Sequence, residues 1–363
     1  MEIHELGLEE KIGQMFIVGL DTTNIMDKLE VLILQQKVGG IMLYKKNYKN
    51  YEEMVEVINY IKKLNSKNKV PLLIAIDQEG GRVNRMPQDF NKLPSSYKLA
   101  SNSKEENLVE QAGKITGEML SKLGINMDFA PVLDIKRFED KHAIGDRAFS
   151  NHKAEVAKYA IDYMKELQKH NVISVIKHFP GHGATTKDTH FNIPTIKENI
   201  ENLEKEDMFP FEQAIKNGAD AMLVSHLKIK GKTQGLPASM SRKFITKYIR
   251  KKYRFKGLIV TDDVRMGAVK LLYGTNKPAK KAFEAGNDIV LIKHIEGNNI
   301  MEQIIKRVKR SPLKQARVNN SVKRILAMKE KYKVNDEQIE LDKEWLNEIN
   351  GKMQNVIDKC KNI

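Results

Sequence analysis

Hydrophobic and polar positions along the chain form blocks of two kinds. Short apolar runs, bounded by polar or turn-forming residues, alternate with longer stretches that have helical spacing, such as residues 107–124, 154–171 and 241–257. Strands that are apolar on both faces and separated by helices are typical of a parallel sheet covered by helices. The predicted strands lie within residues 14–20, 39–44, 71–77, 125–134, 172–179, 220–227, 257–263 and 287–292.

This set of strands predicts the fold class, which is α/β. A single (β/α)8 TIM-like barrel with an extra C-terminal helix fits the number of runs, and a doubly wound sheet is the alternative. We expect residues 1–335 to form the barrel. Residues 336–363 carry apolar side chains at helical spacing, including Trp345, Ile349 and Met353, and this indicates a helical tail packed on the barrel or on a partner.

Composition narrows the class of protein and its partners. With 41% hydrophobic and 30% charged residues, and no long apolar run, the chain is expected to be globular, not membrane-bound, and cytoplasmic. The net charge of +15 would suit an acidic partner, but the basic residues are dispersed, so no nucleic-acid partner is expected. Cys360 is the only cysteine, which excludes an internal disulfide. The oligomeric state stays open, with a monomer as the expectation.

Polar residues follow several of the predicted strands. Active sites of (β/α)8 barrels lie at the C-terminal ends of the strands, where the following loops begin. An aspartate or serine after a strand often caps the next helix, but capping does not explain a histidine beside a lysine, or polar ends on five strands together. We therefore predict a site at this end of the barrel. The polar strand ends are Asp77, Asp134, Lys177–His178, Ser225–His226 and Asp262–Asp263.

At two of these strand ends the sequence leaves open which way the side chains point. Adjacent strand residues point to opposite faces, so either Asp262 or Asp263 should face the barrel mouth while the other supports or caps. The strand is apolar on both faces, so its pattern does not choose between them. After Asp77, Arg82 and Arg85 would share a face if a helix followed, and would suit an anion or sugar hydroxyls. A surface ion pair with Glu79 is the alternative.

Residues 177–194, KHFPGHGATTKDTHFNIP, permit three interpretations. His178, His182, Asp188 and His190 could bind a metal, although the proline and glycines disfavour the helix that the i, i+4 histidines would need. The histidines could instead cap backbone groups. In the third interpretation Asp188 fixes the tautomer of His190, which then exchanges protons near neutral pH while a strand-end carboxylate acts as nucleophile.

The motifs together resemble a known family. KHFPGHG followed by D-T-H, with DQEGGRV before it and TDD after it, resembles glycoside hydrolase family 3. More narrowly, the motifs are similar to those of bacterial β-N-acetylglucosaminidases that trim cell-wall fragments. The resemblance extends from about Leu8 to Tyr332 and implies the same barrel that the strand pattern predicts.

The resemblance also implies roles for individual residues. Asp262 matches the nucleophile, His190 the general acid/base and Asp188 its partner. No metal or organic cofactor is implied. Thr189, Ala184 and Arg265 depart from the usual pattern, but none of them removes a catalytic group. The residues that match the N-acetylglucosamine-binding positions are Asp77, Arg85, Arg147, Lys177 and His178, with Asp128 and His226 as supporting residues.

The expected function is therefore a retaining exo-β-N-acetylglucosaminidase that acts on peptidoglycan fragments in cell-wall recycling. Its partner would be a small glycan substrate, an N-acetylglucosamine-containing muropeptide. Two alternatives stay open: a phosphorylase, in which phosphate replaces water, and a sugar-binding barrel without catalysis.

Overall fold

Eight parallel strands form the centre of the fold. The computed structural model describes residues 2–19, 25–103, 106–137, 143–183, 193–293 and 300–360. Around the barrel the strands follow the order β10-β1-β2-β3-β4-β5-β7-β9, and β6 pairs with β8 outside it. The strands are β1 Phe16–Gly19, β2 Gly40–Met42, β3 Leu73–Ile76, β4 Met127–Asp128, β5 Ile173–Phe179, β6 Thr195–Ile196, β7 Ala221–Val224, β8 Lys228–Ile229, β9 Leu258–Thr261 and β10 Val290–Ile292.

The sheet closes between β9 and β10. A parallel bridge joins Val260 to Ile289, and the side-chain oxygen of Thr261 accepts a hydrogen bond of 3.0 Å from the backbone N–H of Leu291. A barrel results, and the predicted fold class is confirmed. Each of the predicted apolar runs contains one barrel strand, whereas the short pair β6 and β8 was not predicted.

Helices surround the barrel. Two of them, α2 and α9, continue as π-helical turns over Val31–Gln35 and Ile245–Lys252. The helices are α1 Leu8–Gly13, α2 Met26–Glu30, α3 Tyr51–Asn65, α4 Ser96–Ser101, α5 Leu108–Lys122, α6 Lys153–Lys169, α7 Ile200–Lys205, α8 Phe209–Lys216, α9 Arg242–Phe244, α10 Gly267–Tyr273, α11 Lys277–Ala285, α12 Ile300–Lys309, α13 Pro312–Lys331 and α14 Lys343–Lys359.

The strands are buried on both faces, as their apolar character predicted. All four residues of β1, β3, β7 and β9 are buried, because one side faces the barrel interior and the other faces the helices. No helix in the described part of the chain combines the length and apolar character needed to cross a bilayer.

The C-terminal segment lies against α3 and the loop that follows β3. Trp345 of α14 joins an aromatic cluster in which its ring centroid lies 6.2 Å from those of Tyr51 and Phe90. The side chain of Asn59 bonds both to the carbonyl and to the N–H of Ile339, at 2.8 Å each. Asp342 caps α14 by accepting from the Trp345 N–H at 2.9 Å. The domain boundary at residue 335 stays a prediction.

Candidate active site

A cavity of about 300 Å³ opens at the C-terminal ends of the barrel strands. Residues that follow β2, β3, β5, β9 and β10 line it, so the strand-end polar groups of distant parts of the sequence meet in one place. This is the end at which (β/α)8 enzymes have their active sites. The polar side chains of the lining are Tyr44, Asp77, Glu79, Arg85, Arg147, Lys177, His178, His182, Asp262, Asp263 and Lys293.

Buried Glu79 is the centre of an ion-pair network on one side of this cavity. Arg147 donates two hydrogen bonds of 2.7 Å to its two carboxylate oxygens, and Lys177 Nζ lies 2.5 Å from one of them. Lys177 also donates to Asp77 Oδ1 at 2.7 Å. Burial by itself would raise the pKa of Glu79, but the charges of Arg147 and Lys177 outweigh it and lower that pKa. Burial likewise opposes the charge of Lys177, yet Asp77 and Glu79 raise its pKa. Glu79 and Lys177 therefore both carry their charges at neutral pH.

The arginines of the DQEGGRVNRM stretch point to different places. Residues 78–95 form turns without a helix, so Arg82 and Arg85 do not share a face. Arg82 bonds to the backbone carbonyls of residues 143–144 and lies 3.1 Å from Asp146. Arg85 lines the cavity, with its Nη2 4.0 Å from Asp77 Oδ2. The proposed surface ion pair with Glu79 is wrong as well, because the Glu79 side chain is only 3% exposed and binds Arg147 and Lys177.

Asp134 holds the two histidines of the HFPGH stretch. His178 donates from Nδ1 to Asp134 Oδ2 at 2.6 Å, and the His182 backbone N–H donates to Oδ1 at 2.7 Å. His178 Nε2 lies 3.4 Å from Arg147 Nη2. Burial lowers the pKa of His182 to about 4, so its imidazole is neutral. The Lys177–His178 peptide is cis, and both side chains line the cavity.

Asp262 and Asp263 differ in their hydrogen bonds. Asp263 Oδ1 accepts from the backbone N–H groups of Arg265 and Lys293 at 3.0 Å each, whereas Asp262 Oδ1 accepts from the Asp263 N–H at 2.8 Å. Burial would raise the pKa of Asp262, but His226, His178 and that N–H favour the carboxylate and lower it. Burial raises the pKa of Asp263. Asp263 thus organises the turn after β9, and Asp262 presents an ionised carboxylate.

His226 supports this turn from behind. Its Nε2 donates to the Asp263 carbonyl at 2.9 Å, and its Nδ1 lies 2.7 Å from the Ser239 hydroxyl oxygen. Asp128 is also fully buried, outside the cavity lining. Its Oδ1 accepts from the Gln78 N–H at 2.9 Å, and burial raises its pKa. Both residues hydrogen-bond to neighbouring backbone, and their supporting role in sugar binding stays a prediction.

The structure brings most of the predicted site residues to one cavity. Asp188 and His190 lie outside the described residues, and so does the part of the metal interpretation that needs them. Within the described ranges, no group of three or more His, Cys, Asp or Glu side chains could hold a metal ion. Sequence reasoning missed Glu79 as a buried centre and Asp134 as the partner of His178. The predicted residues that line the cavity are Asp77, Arg85, Arg147, Lys177, His178 and Asp262.

Comparison with known proteins identifies the family. The model of the glycosyl hydrolase family 3 N terminal domain matches residues 7–328. The chain belongs to glycosyl hydrolase family 3. A β-hexosaminidase of Hydrogenovibrio crunogenus is 30% identical over 323 residues, which cover 86% of this chain and 88% of that protein. The family 3 resemblance seen in the motifs is therefore confirmed, and the protein is a glycoside hydrolase of the β-hexosaminidase group.

Solved structures of family 3 members agree with this assignment. A β-N-acetylglucosaminidase from Paenibacillus sp. str. FPU-7 superposes with a TM-score of 0.86 at 29% identity, covering 98% of this chain and 69% of that one. NagZ from Neisseria gonorrhoeae, solved in complex with N-trifluoroacetyl-D-glucosamine, gives a TM-score of 0.72 at 25% identity, covering 95% of this chain and 98% of that one. Both likenesses span nearly the whole chain.

Proposed function

We propose that this protein is a retaining exo-β-N-acetylglucosaminidase that removes terminal N-acetylglucosamine from peptidoglycan fragments. The observation that carries the proposal is the pairing of an ionised Asp262 with a dense set of polar groups in one small cavity. A confined cavity suits an exo-acting enzyme, because it accepts one terminal sugar ring and no continuous chain. The names of the β-N-acetylglucosaminidase relatives support the choice of aminosugar.

Asp77, Lys177, His178, Arg85 and Arg147 would hold the sugar. The carboxylate of Asp77 accepts from ring hydroxyls, and Lys177 and Arg85 are placed beside it to donate. Arg147 and Lys177 are already positioned by Glu79, so little reorganisation is needed when the sugar binds. His178 is held by Asp134 through the hydrogen bond from its Nδ1.

The reaction would proceed by two displacements. The Asp262 carboxylate attacks the anomeric carbon and forms an ester bond to it, while the bond to the leaving oxygen breaks and His190 protonates that oxygen. His190 then takes a proton from water, the water oxygen attacks the same carbon, and the ester bond breaks to release Asp262. Two inversions give net retention. Asp188 would fix the His190 tautomer. These two roles rest on the motif match.

The proposal is tested with p-nitrophenyl β-N-acetylglucosaminide and the corresponding β-glucoside. We expect cleavage of the aminosugar, with the β anomer as the first product by NMR. Asp262→Ala should lower kcat by roughly 10⁴-fold or more, and His190→Ala should lower it less, because an activated phenol leaves without full protonation. Asp263→Asn is the matched control for a neighbouring carboxylate, and it should keep more activity than Asp262→Ala.

Each alternative outcome has a distinct meaning. The α anomer as first product, or full activity in Asp262→Ala, would contradict the double displacement. N-Acetylglucosamine 1-phosphate formed in phosphate buffer would make the enzyme a phosphorylase. Binding of N-acetylglucosamine without cleavage of either glycoside would indicate a sugar-binding barrel.

A cytoplasmic location belongs to the same proposal and is tested by cell fractionation.

A further inference from the structure

The excess of lysine and arginine, dispersed along the sequence, is concentrated on one side of the fold. Residues 221–329 contain 26 Lys and Arg and 6 Asp and Glu, whereas the rest of the chain contains 36 and 41. The net charge of this segment is therefore +20, and that of the rest is −5. The segment begins with β7 and ends in α13, and its strands β7, β9 and β10 are successive in the barrel.

The positive charges of this side are at the surface. In the described part of residues 221–329, fifteen lysines and arginines are exposed, and Glu302 is the only exposed carboxylate. We call these fifteen side chains the basic face. Three of them, Lys252, Arg307 and Lys309, form ion pairs with described carboxylates, and the other twelve have none among the described residues. The charge of the basic face is therefore largely uncompensated.

Fold stability does not explain this charge. Arg242 and Lys243 lie in the first turn of α9, where the helix dipole disfavours positive charge. Lys243, Lys247 and Lys251 follow each other at intervals of four along α9 and its π-helical turns, so like charges adjoin on one helix face and weaken the helix. A partner of opposite charge would offset this self-repulsion.

The basic face lies on adjacent helices and reaches the end of the barrel opposite the cavity. α11 packs against both α9 and α12, and α12 packs against α13. Lys256 comes just before β9, whereas Asp262 follows that strand. Arg310 precedes α13, whose Arg317 bonds to the carbonyl of Asn287 just before β10. A partner bound at this end would leave the cavity open.

An exposed apolar side chain accompanies these charges. Leu313, in the first turn of α13, is 85% exposed, the highest value for a large apolar side chain in the described residues. Exposed Lys309 and Arg310 lie a few residues before it. Cations around an exposed leucine suit a bilayer surface, where the cations meet lipid phosphates and the leucine enters the apolar boundary. A nucleic acid offers the phosphates without that boundary.

We propose that the basic face and Leu313 dock on a bilayer surface that contains anionic phospholipids. The contact is peripheral and leaves the cavity open to its substrate. Charge attracts the face to lipid phosphates, and Leu313 adds an apolar contact that separates a bilayer from a dissolved polyanion. This inference goes beyond the proposed function and does not depend on it.

The test is co-sedimentation with phosphatidylcholine vesicles, with and without about 30% phosphatidylglycerol. At low salt we expect the wild type to bind the anionic vesicles at least roughly tenfold more tightly than the neutral ones. The difference should disappear near 1 M salt, where the Debye length is only about 3 Å.

A pair of charge reversals tests the basic face itself. Lys247→Glu/Lys251→Glu should weaken binding to the anionic vesicles by about 10- to 100-fold, because two attractions become repulsions. Lys158→Glu/Lys165→Glu is the matched control, with the same change of charge on α6, outside the basic face. Lys158 and Lys247 each lie over the ring of the tyrosine that follows them. The control should lose less than about threefold, because charge away from the contact is screened.

A second pair of variants tests the apolar contact. Leu313→Ser should weaken binding to the anionic vesicles about three- to tenfold and leave the binding of a DNA duplex unchanged. Leu341→Ser changes an exposed leucine outside the basic face and should have no effect on either. All of these side chains are exposed, so the variants should fold, which circular dichroism would verify.

Equal binding of the wild type to both kinds of vesicle would overturn the inference. So would an equal loss in Lys247→Glu/Lys251→Glu and in the α6 control. Tighter binding to the DNA duplex than to vesicles of the same phosphate content would indicate a nucleic-acid partner and overturn it as well. An unchanged affinity of Leu313→Ser for the anionic vesicles would exclude the apolar contact and, with it, the assignment to a bilayer.

Discussion

Two buried lysines stand at opposite ends of the barrel and have opposite pKa shifts. Lys177, at the mouth, is 2% exposed and lies between Asp77 and Glu79, which raise its pKa despite its burial. Lys329, at the other end, is 3% exposed, and burial lowers its pKa from 10.5 to about 7. Equal burial thus gives opposite pKa shifts, because two carboxylates bind Lys177 directly, whereas Lys329 bonds to an amide and two carbonyls and only the charge of Asp336 favours its ammonium form.

The partners of Lys329 explain its position. It donates to Gln14 Oε1 at 2.7 Å and to the backbone carbonyls of Gly39 and Pro71 at 3.0 and 2.7 Å. These residues precede β1, β2 and β3, so α13 is tied through one side chain to the N-terminal ends of three strands. Lys177 and its carboxylate partners, in contrast, line the cavity. Lys177 is therefore placed to contact a ligand, whereas Lys329 stabilises the barrel.

The largest effect should come from Lys177→Met. Removing the ammonium leaves Asp77 without its closest cation and Glu79 with Arg147 alone. The side chains proposed to bind the sugar hydroxyls would then no longer be held in position. We expect kcat/KM for p-nitrophenyl β-N-acetylglucosaminide to fall by about 10²- to 10⁴-fold, with a loss of stability of about 3 kcal/mol because buried Glu79 keeps only one of its two cationic partners. Activity within tenfold of wild type would show that the network is only structural.

Lys329→Met should lower stability and leave catalysis nearly unchanged. Three acceptors at the base of the barrel would lose their donor, so we expect the free energy of unfolding in urea to fall by about 2–4 kcal/mol. Catalysis by the folded enzyme should change less than twofold, because the site is at the other end. Lys323→Met, an exposed lysine on the same helix, is the control and should change stability by less than 0.5 kcal/mol, roughly. A large loss of kcat in Lys329→Met would contradict the conclusion that this end of the barrel contributes to stability and the other end to catalysis.

Per pH unit, the smallest effect is the pH dependence of stability. Since the pKa of Lys329 is about 7 in the fold and 10.5 in the unfolded chain, the unfolded chain binds more protons between these values. Stability should therefore rise with pH across that interval, by at most about 1.4 kcal/mol per pH unit. Below about pH 7 the cost of charging Lys329 is present in full.

Urea unfolding of wild type and Lys329→Met at pH 7 and pH 9 isolates this contribution. The difference between the two proteins should be larger at pH 9, because the wild type alone gains from deprotonation of Lys329. A difference that stays constant with pH would show that Lys329 is charged in the folded protein at both pH values, so that its pKa is not lowered. Lys177 should add no slope here, since its raised pKa keeps it charged.

Sequence alone predicted the barrel and much of the site, for a physical reason. Runs such as residues 71–77 and 257–263 are apolar on both faces and end in carboxylates, and these features are local. The partners of Glu79 and Asp134 could not be predicted in this way. Arg147, Lys177 and His178 are distant from them in sequence, and the pattern of apolar and polar residues does not determine the loop conformations that bring them together. The choice between Asp262 and Asp263 likewise depends on backbone N–H groups after the strand.

Gly19 determines where an aromatic ring of the cavity lining can lie. A Cβ at this position would be 2.5 Å from Tyr44 Cε2, so the Tyr44 ring keeps its place only while residue 19 has no side chain. The shape of the cavity therefore depends on a residue that does not line it. An exchange at Gly19 would alter the space offered to a ligand while every lining residue stayed the same in sequence.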